Sequence, residues 1–169
     1  MARARAHCAA NTPSATVSRS RKPSSVSGVV LIDGGAVCDP EGSEGTAQLA
    51  AKMLLEGTER YNGAELAERF ETLGASIEAG ADWDAAAITM TTLVEHLSDA
   101  FALLGEVVLS PAFSARELER LKAERLAELL QLRAEPRGLA DELFTKFLYT
   151  PGSRYARSEG GDESSVERI

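Results

Sequence analysis

Histidine and cysteine are scarce, with two of each in 169 residues, yet these side chains build most protein zinc sites. Cys8 and Cys38 lie far apart and form no Cys-x-x-Cys, which excludes a thiolate metal site and a redox dithiol. A disulfide between them is open but not expected. His7 sits in an N-terminal tail, and His96 reads as a surface or helix-start residue. Aromatic residues make up 5% of the chain, so the core must be aliphatic and alanine-rich. No apolar run approaches the roughly 18 residues a membrane helix needs, and the N-terminus lacks the apolar stretch of a secretory signal.

Acid is missing from the first 32 residues, which hold Arg3, Arg5, Arg19, Arg21 and Lys22. The remainder carries 13 basic residues against 26 acidic ones, a net −13. A body of that charge repels nucleic-acid phosphates and anionic membrane surfaces, so neither is expected as a partner. Residues 1–27 are mostly Ala, Ser, Arg and Pro. They hold too little apolar surface to fold and read as a disordered basic extension. Their composition resembles an organellar transit peptide. A plain extension, or a start codon set too early, is the alternative, with a bacterial cell or its periplasm as the compartment. Residues 28–169 read as one partial domain.

What is present is a clear succession of elements. GVVLID (28–33) is β-branched and strand-like, and residues 34–45 are a Gly-, Pro- and Asp-rich loop. Residues 44–56 read as an amphipathic helix with Leu49, Met53 and Leu54 on one side. Asn62 and Glu65 form a capping-box pattern ahead of a helix bearing Leu66, Phe70 and Leu73. Gly74 ends that helix. Residues 75–93 read as two strands around a turn near Gly80 to Asp82. Residues 94–110 are helical up to Pro111. A long charged helix follows over 114–135, with Ser114 as N-cap and Glu117 completing a second capping box. Pro136 marks a break, 137–149 is a further helix, and another can start near the end. Strand, two helices, two strands and three helices make an α+β domain, its helices packed on one face of a largely antiparallel sheet.

Four segments carry a resemblance: GTAQLAAKMLLEGT, ELAERFETLGASIEAGADWDAAAITM, LGEVVLSPAFSARELERLKAERLAELL and LFTKFLYTPGSRYARSEGGDESSV. In order and spacing they resemble the N-terminal domain of pitrilysin/insulinase-type (M16) metallopeptidases, the family of the mitochondrial processing peptidase and the bc1 core proteins. The resemblance implies the LuxS/mitochondrial-processing-peptidase-like metallohydrolase fold, here expected to be incomplete at its C-terminus. Active members carry His-x-x-Glu-His on the first helix. There the two histidines hold zinc and the glutamate activates water; a further Glu completes the ligand set. The matching positions in this chain are Gln48, Ala51, Lys52 and, 76 residues beyond Lys52, Glu128.

Only the last of these keeps the required chemistry. Gln48 offers a neutral amide oxygen. Ala51 cannot act as a base. Lys52 is an ammonium that repels a dication. No catalytic residue, no metal ligand and no cofactor are therefore expected, although zinc serves active relatives. Lys52 is expected to pair with Glu128 in place of the metal charge, with Gln48 bonded to the same carboxylate; the alternative is that both charges point to solvent. Trp83, between Asp82 and Asp84, has two readings, a peptide contact at the sheet edge and a packing residue. The resemblance implies a non-catalytic domain that pairs with a zinc-bearing M16 subunit, or a second half-domain, to enclose peptide substrates. The alternatives are a zinc endopeptidase with unorthodox ligands and a structural assembly subunit. Alone, such a domain is expected to expose sheet edges and apolar helix faces.

Overall fold

Four antiparallel strands in the order β1-β2-β4-β3 form the sheet. A computed structural model of the chain describes residues 14–19, 25–150 and 152–169. The strands are β1 (Ser14–Arg19), β2 (Ser25–Ile32), β3 (Ser76–Ala81) and β4 (Ala86–Leu93). The helices are α1 (Thr46–Met53), α2 (Gly63–Thr72), α3 (Leu97–Leu109), α4 (Ala115–Ala134), α5 (Pro136–Leu148) and α6 (Glu163–Arg168).

Alternation decides which face of the sheet is covered. Val26 and Val30 on β2 and Ala86, Ile88 and Met90 on β4 are buried. Their neighbours Ser27 and Thr91 face the other way, and the two hydroxyls hydrogen-bond at 2.8 Å. The inward face packs on α1, α2 and α3 in one cluster that includes Leu54, Leu66, Phe70, Leu104 and Val107. A second cluster joins Leu49 and Met53 of α1 to Leu121 and Leu129 of α4 and Val166 of α6. Helix α1 is thus held from both sides, and the core is aliphatic apart from Phe70.

Two corrections concern the N-terminal part. β1 lies within the stretch expected to be disordered, and β2 begins at Ser25 rather than Gly28. Six residues, Ser14 to Arg19, pair along β2. The backbone ladder gives them what their small side chains cannot, and Thr16 and Val17 suit a strand. The rest of the proposed extension lies outside the described residues. Cys38 is disulfide-bonded, against the expectation of no disulfide; Cys8 is outside the described residues.

The capping signals behave differently. Asn62 Oδ1 accepts from the Glu65 amide at 3.0 Å, and Glu65 Oε2 accepts from the Asn62 amide at 3.0 Å, a complete capping box. Ser114 is the N-cap of α4 but makes no side-chain cap bond. Glu117 instead accepts from Arg120 Nε at 2.8 Å, because a guanidinium one turn on is the stronger donor for a carboxylate. Gly74, at φ 58°, turns the chain out of α2. The β3–β4 turn centres on Trp83 and Asp84, slightly beyond the expected position.

Candidate functional site

The start of α1 is fixed by a buried carboxylate. Asp39, 4% exposed, accepts from the backbone amides of Gly45 at 2.8 Å and Ala47 at 2.9 Å. It satisfies amides that the first helical turn leaves unpaired. Burial pushes its carboxyl above its ordinary value, while those amide bonds pull the other way. A second clamp comes from the C-terminal segment, where Ser165 Oγ donates to the Glu44 carbonyl at 3.0 Å.

Held in this way, α1 presents Gln48, Ala51 and Lys52 toward α4 and the end of β3. Lys52 Nζ lies 3.6 Å from Glu128 Oε1, with the two side chains 38% and 49% exposed. The other Glu128 oxygen, Oε2, accepts from Arg125 Nη1 at 3.2 Å. The expected Lys52–Glu128 pair is present, but the carboxylate is half exposed and has two cations beside it. Such a pair contributes at most about 1 kcal/mol.

Gln48 differs from expectation. Its amide does not reach Glu128; Nε2 donates to the Ala81 carbonyl at 3.3 Å and the side chain also bonds the Glu159 carboxylate. The reason is reach: Gln48 lies one turn before Lys52 and faces the end of β3. Ala51 is buried at 2% exposure and carries no donor or acceptor on its side chain. One carboxylate held by two cations, an amide already engaged and a methyl group do not fit a catalytic zinc, which takes three ligating side chains and an open position. Among the described residues no group of three or more His, Cys, Asp or Glu is arranged to hold a metal.

Beside these residues is a hollow of about 400 Å³, lined by Gln48, Trp83, Arg125, Thr145 and Glu159 among others. Trp83 both borders this hollow and packs. Its ring lies 5.6 Å from that of Tyr155, which lies 5.5 Å from Tyr149. The Tyr155 hydroxyl donates to Asp84 Oδ1 at 2.7 Å, and that bond raises the phenol above its ordinary value. Sequence reasoning missed Glu159, Arg125 and Tyr155. Burial pushes the Glu159 carboxyl up and the Asp82 charge adds to this, while the Gln48 amide and Arg125 offset part of it. Arg125 also donates from Nε to the Gly160 carbonyl at 3.0 Å, so it ties α4 to the loop that carries Glu159. Nothing in the local sequence SEGGD marks that loop as folding back onto α1.

The model of the insulinase family, peptidase family M16, matches residues 15–157. The "Non-peptidase homolog YmxG" of Helicobacter pylori is 28% identical over 136 residues, which is 80% of this chain and 31% of that protein. A probable mitochondrial-processing peptidase subunit beta of Arabidopsis thaliana is 26% identical over 82% of this chain and 27% of its own length. Among solved structures, a peptidase M16 inactive domain from Pseudomonas fluorescens superposes with a TM-score of 0.79 at 30% identity, covering 88% of this chain and 36% of that one. Pitrilysin superposes at 0.72 with 23% identity, over 86% of this chain and 16% of its own, which speaks for the fold. The chain spans about a third or less of the length of these relatives. Its matched residues and its sheet-and-helix architecture agree, and the chain belongs to the insulinase family, peptidase family M16.

Proposed function

We propose that this chain is a non-catalytic M16 domain that forms one wall of a peptide-enclosing chamber, opposite a zinc-bearing subunit or half-domain. The observation that carries this reading is the state of the four motif positions. Lys52 and Glu128 are paired, Gln48 is bonded to the strand end, and Ala51 is inert. The position that would hold the water-activating base is Ala51, and among the described residues no ligand set for zinc is assembled. The names of two relatives, a non-peptidase homolog and an inactive domain, support the same conclusion.

A binding role is supported by what the domain keeps. β3 forms one edge of the sheet, and an extended peptide can add to such an edge as a further strand. Trp83 and the hollow lie at the end of that edge. A partner is supported by α5, where Phe144 and Phe147 are 61% and 86% exposed and Leu148 is 59% exposed. Apolar side chains clustered on one helix are the usual mark of a surface that another protein covers.

The test is a pair of assays on the same preparation. Internally quenched peptides incubated with the chain and added zinc are expected to show no cleavage above the blank. Fluorescein-labelled extended peptides are expected to bind, read by anisotropy. Cleavage that Glu128→Gln abolishes overturns the proposal, and so does the absence of any peptide binding.

A further inference from the structure

The geometry points to Gln48 as a built-in stop on the β3 edge: its side-chain amide closes the last outward-facing carbonyl of the strand. An added strand is therefore limited to the groups on Ile77 and Ala79. This rests on the strand-addition reading above and says where such a strand must end.

Register shows which groups face outward. In an antiparallel ladder, alternate pairs exchange both backbone hydrogen bonds, while the residues between them turn N–H and C=O away. Asp82 donates to the Ala85 carbonyl at 2.9 Å, so its register places the bonded pairs at Gly80–Ala87, Glu78–Thr89 and Ser76–Thr91. Ile77, Ala79 and Ala81 then direct their backbone groups to the free edge. The Gln48 bond is consistent with this: Ala81 O accepts from Nε2 at 3.3 Å, as a carbonyl left free by the ladder can.

Among the described residues the edge is otherwise unpaired. SIEAGA has no lysine, no proline and no bulge, the features that ordinarily blunt an edge strand. Its inward-facing Ile77 and Ala79 are half-buried against the helices, while Glu78 and Gly80 lie on the exposed face. Gln48 closes only the end near Trp83. The Gln48 amide donates to Ala81 O, and the Glu159 carboxylate lies beside the same side chain. The stop is thus held at two points by α1 and the Glu159 loop. A strand that reached Ala81 would have to displace a hydrogen bond before making its own.

The probe is a capped, fluorescein-labelled Lys-(Thr-Val)4-Lys peptide, compared by anisotropy on the wild-type chain, Gln48→Ala and Ala79→Pro, with far-UV circular dichroism as the folding check. Ala79→Pro removes an outward N–H and is expected to abolish binding. Gln48→Ala frees Ala81 O and is expected to bind about fivefold more tightly, the worth of one added hydrogen bond. A series with one N-methyl group walked along the peptide should show one more sensitive position on Gln48→Ala than on wild type. Equal affinity and equal methylation patterns for wild type and Gln48→Ala overturn the stop, provided Ala79→Pro still loses binding. Binding that Ala79→Pro leaves intact, or no binding by any of the three, overturns the strand-addition reading and the stop with it.

Discussion

At the scale of the residue, the four motif positions behave according to their exposure. Lys52 and Glu128 are close enough to pair but sit in high dielectric, where screening and side-chain entropy cancel most of the gain. Lys52→Ala is expected to lower stability by less than about 1 kcal/mol in urea denaturation, with an unchanged slope. Glu159 carries a pH signature at the site. Its carboxyl is raised in the folded chain, so the folded state holds that proton at a pH where the unfolded state has lost it. The stability linked to this group is present below its unfolded value and is lost as pH rises through the folded one. Glu159→Gln should therefore gain stability relative to wild type on going from about pH 4 to pH 7; parallel melting curves across that range will check it. The proximity of Lys52 and Glu128 was legible from their spacing. That Gln48 turns to Ala81 was not, because the partner is a backbone carbonyl more than thirty positions away, at a strand end whose register no local pattern fixes.

At the scale of the element, caps and turns separate what sequence rules can decide from what they leave to tertiary context. The Asn62–Glu65 box forms as its pattern implies, while the equivalent pattern at Ser114 and Glu117 does not, because Arg120 takes the glutamate. Asn62→Ala should cost about 1 kcal/mol and Ser114→Ala close to nothing, a difference equilibrium unfolding can resolve. β1 escaped notice for a related reason. SATVSR alternates only Ala15 and Val17 with polar residues, too small an apolar face to mark a strand, and it becomes one by pairing with β2. The joint between α1 and the C-terminal segment was equally hidden. Gly161 has φ 75°, and a Cβ there would meet the Glu44 carbonyl oxygen at 2.2 Å. Gly161→Ala should cost at least about 2 kcal/mol, since it combines left-handed strain with a backbone clash; thermal unfolding will show it. Ile88, fully buried at the centre of β4, is expected to cost about 2–5 kcal/mol on truncation to alanine.

At the scale of the whole molecule, the α+β class and the order of the elements from β2 onward were legible, since hydrophobic period, glycine and proline punctuation and one cap all agree. Layering followed from the same periods: one sheet face is covered by helices and the other carries Thr89, Thr91 and Glu78. We propose that this M16 domain keeps the frame of a metal site without its donors. Zinc content is the direct measurement, made by elemental analysis after equilibration with zinc and dialysis. The samples are the wild-type chain, Glu128→Gln, and Gln48→His combined with Lys52→His. No bound zinc is expected in the first two and about one zinc per chain in the third, where two imidazoles and Glu128 supply the three ligands a catalytic site uses. One zinc per wild-type chain, lost in Glu128→Gln, would contradict that proposal.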